Sequence, residues 1–137
     1  MILRFVTSLR STIASAIIAA IDAGGGAATI AFYTDDIPAV LGSALTTQVL
    51  LGTLTCSDPC ATENEGEIAF SAITQDSGAD ATGTAAWVYI KDSTGAVVAA
   101  GDVTDNAGDG FVKVNTTAIV AGGPIAMTSL TITVGGA

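Results

Sequence analysis

The chain has 137 residues, half of them hydrophobic and 12% charged, with 16 Gly, 5% aromatic residues and no His. That apolar content excludes disorder, and the length suits one fold unit with no second independent core. A net charge of −9, with only Lys91 and Lys113 basic after residue 10, repels phosphate backbones and removes nucleic acid from the expected partners.

Residues 1–26 read MILRFVTSLRSTIASAIIAAIDAGGG: Arg4 and Arg10 first, then an uncharged stretch from Ser11 to Ile21, then small residues. Secretory signal peptides share that outline, but the segment is expected to be retained as an N-terminal segment with an apolar helix. The uncharged run of 11 residues is too short for a membrane span, which needs about 20 apolar residues, so no membrane partner is expected. The helix is predicted to start with Thr7 or Ser8 as N-cap and to stop at Gly24 in the left-handed conformation. Leu9, Ile13, Ala16, Ile17, Ala20 and Ile21 follow helical spacing on one stripe, with Ala14 and Ile18 beside it. Ser11, Thr12 and Ser15 are the polar residues of the stretch, so more than one side of the helix calls for cover. One face is expected to pack on the chain's own β domain and another on a second subunit, which makes Leu9, Ile13, Ile17, Ile18 and Ile21 candidate assembly contacts and the chain a homo-oligomer.

Residues 27–137 are expected to form the rest of the same fold unit, an antiparallel β domain. AATIAFYTDDIP reads as a strand with Ile30 and Phe32 on one face, placed beside the helix and ended by an Asp-Asp and Pro turn. QVLLGTLTCSD is a second strand, in which Leu51, Thr53 and Thr55 alternate with Leu50, Gly52 and Leu54. Glu63, Glu65 and Glu67 mark a solvated turn before EIAFSAITQ. Trp87 to Lys91, the turn DSTG and the return from Val97 to Val103 make the clearest hairpin. Strands around Phe111 to Asn115 and over MTSLTITV, from Met127 to Val134, complete about seven. The fold class read from this pattern is mainly β: a small antiparallel β-sandwich or barrel-like domain with one N-terminal α-helix.

Neutral-pH acid–base chemistry most often uses imidazole, which the sequence lacks, and the carboxylates sit beside Gly, Ser, Thr and Asn in turns. No enzyme activity, cofactor or metal is expected. Cys56 and Cys60 flank a short turn and are either a loop disulfide or two free thiols; two cysteines without His cannot complete a zinc site. Asp105, Asn106, Gly108 and Asp109 have oxygen-rich spacing that suits a calcium loop, but the terminal bidentate Glu is missing, and an ordinary polar turn is the expected reading. Asp76 to Asp80 is read the same way. Trp87 is assigned to the core, with an interface contact as the alternative.

The order of elements carries a resemblance. Leu3 and Arg4, the helix, IAFYTDDIP, ITQDSGADATGTAAWVYIKDSTG and VNTTAIVAGGPIAMTSLTITV together resemble a group of small tailed-bacteriophage structural proteins. Residues 79–87 match a middle block of Thr-Ala-Asp-Ala-Thr-Gly-Thr-Ala followed by an aromatic strand. Residues 115–123 match an Asn-Thr block followed by Val-Ala-Gly-Gly. The Cys56/Cys60 loop and the Glu63 to Glu67 stretch depart from the pattern. The resemblance implies a virion component on the capsid surface, a decoration or cement protein whose partner is the major capsid protein or another virion protein. A neck, head-to-tail or tail subunit is the alternative. An adhesive or carbohydrate-binding β domain would instead need exposed aromatics, with Tyr33, Trp87 and Tyr89 as candidates.

Overall fold

A computed structural model describes residues 1–127 and 129–135. Among these residues one helix, α1 (Thr7–Ile21), precedes ten strands: β1 (Thr29–Tyr33), β2 (Leu50–Thr55), β3 (Ala61–Asn64), β4 (Glu67–Phe70), β5 (Gly83–Thr84), β6 (Trp87–Lys91), β7 (Val97–Asp105), β8 (Val112–Val114), β9 (Ala118–Ile119) and β10 (Thr131–Thr133). The mainly β class with one N-terminal helix is as expected, and the sheets curl into a half-barrel, sandwich-like body. The larger strand number comes from short pieces such as β3, β5 and β9, each too brief for an alternation to register. Of the expected last strand, Thr128 lies outside the described residues.

The sheets run β2-β1-β6-β7-β8, β10-β4-β3 and β5-β9. Isolated bridges Thr55↔Thr74, Asp76↔Ile125 and Val114↔Met127 stitch them together. Between them Ile30, Phe32, Leu54, Ile68, Val88, Ile90 and Val112 are fully buried in one core. In β2 both Leu51 and Leu54 are fully buried, which strict alternation forbids. The β1–β2 register shifts between Phe32 and Tyr33, and this bulge adds a residue to β2 and turns Leu51 onto the core face.

Three local expectations need correction. First, α1 is entered from Val6, an extended residue at φ −62° and ψ 149° with no side-chain cap; Thr7 and Ser8 lie inside the helix. The Val6 carbonyl accepts the N–H groups of Leu9 and Arg10, each at 3.1 Å. The helix ends at Ile21 with Asp22 as C-cap, and Gly24 follows at φ +93°. Second, α1 packs chiefly on β3 and β4 and not beside β1. Glu65 and Gly66, at φ 52° and 91°, close β3 and β4 into a two-residue hairpin, where two positive φ values match the twist of the strands. The acidic stretch is therefore a hairpin in which Glu65 and Glu67 are exposed, while Glu63, opposite the fully buried Ile68 in the ladder, is half-buried and accepts the Gly66 N–H at 3.3 Å.

Third, β7 and β8 are parallel, pairing Val103 with Val112 and Asp105 with Val114. Only residues 106–111 connect them, so the chain must double back tightly. An added Cβ on Gly110 would stand 2.8 Å from the Thr104 backbone nitrogen, and one on Gly108 would stand 2.6 Å from Thr104 Cβ. The Asp105 carboxylate accepts the N–H groups of Ala107 at 3.0 Å and Gly108 at 3.2 Å. The oxygen-rich segment is thus a chain reversal with Asp105 bonded to its own backbone. Asp76 is used likewise, accepting Thr53 N–H at 2.9 Å and Gly78 N–H at 3.0 Å.

The β6–β7 hairpin forms as expected, and its turn is held by Asp92, which accepts N–H groups from Thr94 and Ala96 and the Thr94 hydroxyl at 2.7 Å. The Thr94 hydroxyl and these amides hold the Asp92 carboxyl below its ordinary value. Trp87 to Ile90 are all buried, because Val88 and Ile90 face the main core while Trp87 and Tyr89 face a second cluster with Ala31 and Tyr33. The segment after β1 covers that second cluster: Leu45 packs on it, Gly42 N–H donates to Tyr89 Oη at 3.1 Å, and Trp87 Nε1 donates to the Thr34 carbonyl at 3.0 Å.

Candidate assembly surface

Helix α1 has no charged residue between Ser11 and Ile21, so the side turned away from β3 and β4 has little to offer water. On that side Ile13, Ala16, Ile17 and Ala20 face Val98 and Ala99 of β7 and Ile132 of β10 across an open groove of about 430 Å³. Every lining side chain is aliphatic. Before the N-terminal end of α1, residues 1–6 belong to no helix or strand and are exposed, with Ile2 at 85%, Leu3 at 61% and Val6 at 68% of full exposure. Leu9 continues this apolar surface onto the helix at 42%. A groove and an arm of this character, close together on one molecule, go beyond the scattered apolar residues of an ordinary surface.

The structure sorts the five residues proposed from the sequence. Ile13 and Ile17 line the groove while also packing, half-buried, against the main core, and Leu9 is exposed beside the arm. Ile18 is half-buried against the main core. Ile21 is fully buried in the chain's own main core and presents no surface to a partner. Val98, Ala99 and Ile132 were not foreseen, since strands distant in sequence supply them. The arm could have been: MILRFV is a run of apolar residues interrupted only by Arg4.

The C-terminal end of α1 is fixed by polar contacts. Asp22 accepts the Cys60 N–H at 2.9 Å, and Ser93 in the β6–β7 turn donates its hydroxyl to the Ala23 carbonyl at 3.0 Å. These bonds tie the C-terminal end of the helix to the segment before β3 and to the β6–β7 turn. Cys56 and Cys60 are both buried free thiols in this structure. Burial, with the Asp22 carboxylate adding to it, pushes the Cys56 thiol up to about 11; burial and then the hydrogen bond to Asp22 push the Cys60 thiol up to about 12.

The folded values exceed the ordinary 9.0 of an unfolded thiol, so the stabilising contribution is complete below about pH 9 and is lost as pH rises through 11 and 12. Urea midpoints should therefore fall more steeply between about pH 8.5 and 10.5 in the natural chain than in a Cys56→Ala/Cys60→Ala variant, which retains every other titrating group. Parallel slopes would show that the thiols do not titrate differently on unfolding.

Other parts of the surface are different in character. A hollow of about 380 Å³ is lined by Asp35, Asp36, Ile37, Ala86, Trp87 and Asp102. Tyr33, Trp87 and Tyr89, the aromatics a sugar-binding face would present, are 5%, 1% and 2% exposed. No described helix is long and apolar enough to cross a membrane. No protein-family model, curated protein or solved structure matches the chain.

Residues 79–87 and 115–123 lie side by side. Gly83 and Thr84 pair with Ile119 and Ala118 in the β5–β9 ladder. Ala79 N–H donates to the Gly123 carbonyl at 2.8 Å, Gly122 N–H returns to the Ala79 carbonyl at 2.8 Å, and Ala85 N–H donates to the Thr117 carbonyl at 2.8 Å. Ala121 N–H completes the seam by donating to Thr82 Oγ1 at 2.9 Å. Residues 79–87 and 115–123 thus form one paired substructure.

Proposed function

We propose that the chain is a non-enzymatic virion structural protein, a decoration or cement subunit that binds the lattice of major capsid proteins on a tailed-phage head. The observation that carries this reading is the aliphatic groove between α1, β7 and β10, with the exposed apolar arm beside it. Such a surface gains from burial against protein at roughly 25 cal/mol per Å² of apolar area and offers no directional chemistry to a small substrate. The net charge of −9 keeps so apolar a chain soluble until it meets its lattice. Many equivalent copies on a lattice turn modest contacts into firm attachment. The seam between residues 79–87 and 115–123 is consistent with this reading, because the two segments on which the resemblance was drawn are hydrogen-bonded to each other along one short ladder.

A neck or tail subunit makes the same demands on the surface, and copy number separates the two positions. Quantitative mass spectrometry of purified particles is expected to find the chain in hundreds of copies, as a lattice requires; about six or twelve would assign it to a neck or tail ring. Absence from washed particles would refute a virion role altogether. Burial of Tyr33, Trp87 and Tyr89 weighs against the adhesive alternative, since stacking on a sugar needs an exposed ring face.

A further inference from the structure

The groove has an architecture that specifies the shape of what fills it. On one edge β7 pairs with β6, but on its other edge β8 covers only Val103 to Asp105. β10 pairs with β4 on one edge. Among the described residues, no strand pairs with the second edge of β7 from Val97 to Ala100 or with the outer edge of β10. Val98, Ala99 and Ile132 in the groove wall come from these two edge segments, and α1 forms the remaining wall. An open strand edge beside an apolar slot fits an extended peptide, whose backbone would bond to the edge while alternate side chains enter the slot.

We propose that residues 2–6 of a second copy of this chain lie extended in this groove, so that each subunit donates its arm to one neighbour and accepts the arm of another. This rests on the reading of the chain as an assembling subunit. The arm is free to take the required conformation: residues 1–6 belong to no helix or strand, Val6 is already extended, and in an extended arm a period of two puts Leu3 and Phe5 on one face with Ile2, Arg4 and Val6 on the other. Charge favours a second copy. The first ten residues hold Arg4 and Arg10 and no acid, whereas residues 11–137 hold all thirteen acids and two bases, a net of −11. Glu65 and Glu67 line the next hollow along β10 together with Asn64, Thr133 and the chain's own Arg10, so two carboxylates share one guanidinium there and a net negative charge is left for an incoming Arg4.

The arm does not serve its own groove. A return onto Ile13 to Ala20 would require a reversal at Val6 and Thr7. Both are β-branched, and residues 1–12 contain no Gly or Pro to make the turn. The Val6 carbonyl is also engaged by Leu9 and Arg10. Donor and acceptor are different surfaces, so the contact is head-to-tail and produces a ring if the rotation closes or a filament if it does not. A single arm buries well under the roughly 1,000 Å² of a stable interface, which makes one contact weak and the array strong.

The test uses the full chain, a chain lacking residues 2–6, a full-length Leu3→Asp/Phe5→Asp chain, and an Ala16→Asp chain whose groove carries a carboxylate. Sedimentation up to about 1 mM should show multimers of the natural chain and monomers of each variant. An equimolar mixture of the arm-deleted and Ala16→Asp chains should form a one-to-one dimer, because one retains the groove and the other the arm. Multimers of folded arm-deleted or Leu3→Asp/Phe5→Asp chain, no dimer in the mixture, or a monomeric natural chain would each overturn arm exchange. Particle composition reads the underlying role separately: a monomeric chain found in virions retains the structural role without the exchange, and a multimeric chain absent from virions retains the exchange without the role.

Discussion

Replacing Trp87 by Ala is expected to cost about 3–5 kcal/mol of folding stability, a large part of the 5–15 kcal/mol typical of a domain. Trp87 is 1% exposed, stacks on Tyr33 at 4.7 Å with planes 16° apart, and meets Tyr89 edge-on at 4.6 Å. Its indole N–H is bonded to the Thr34 carbonyl at 3.0 Å. Truncation to Ala leaves a cavity that the strands cannot close, because Trp87 lies on β6, paired to β1 and β7 on both edges. The covering segment should loosen first, since Leu45 and the Gly42 contact to Tyr89 depend on that aromatic platform. Urea unfolding followed by circular dichroism measures the total cost, and amide exchange should show lost protection concentrated between residues 34 and 49. A cost below about 1 kcal/mol would mean that the aromatic cluster is not a packed core.

The Ala16→Asp chain is expected to fold and yet to be lost from particles. Ala16 is exposed on α1, so the change costs the helix only about 0.7 kcal/mol in propensity, visible as a shift of a few degrees in Tm. When a partner covers the groove, the same carboxylate is stripped of water without a counter-charge. A penalty of about 3 kcal/mol there lowers occupancy by more than a hundredfold. Infecting cells with phage carrying the variant and counting its copies per particle against the natural chain gives the result directly. Unchanged incorporation, with the fold intact, would remove the groove from the assembly surface. Ile18 and Ile21 are poor positions for this experiment: one is half-buried against the core and the other fully buried, so charging them would unfold the helix and confuse loss of fold with loss of contact.

How much was legible in the sequence depended on the range of the interaction concerned. The β6–β7 hairpin could be read because Trp87 to Lys91, the Asp92 turn and Val97 onward are adjacent in the chain, and turn chemistry acts over a few residues. The helix was legible from its spacing, but not its entry: Thr7 and Ser8 have capping side chains, and the chain begins the helix at Val6 without one. The β3–β4 hairpin was hidden because Glu63, Glu65 and Glu67 look like a solvated turn; Glu65 and Glu67 are exposed, but strand pairing uses the backbone and proceeds through the half-buried Glu63 as well.

The apolar N-terminal segment belongs to both levels. Composition alone established that α1 would be apolar around most of its circumference, that the body after residue 10 would be strongly acidic, and that imidazole chemistry was excluded, since these are properties of residues and not of their arrangement. Which helix face the chain covers itself was decided by tertiary structure. The chain's own core takes Ala14 and Ile21, and the helix meets Val98, Ala99 and Ile132 across a gap that no described strand fills. The pairing of residues 79–87 with 115–123 was likewise beyond the sequence, because ladder bonds join segments by register and the one-dimensional chain carries no distance between them. Local periodicity determines what a segment can bury; only the folded chain determines what remains unburied and therefore available to a partner.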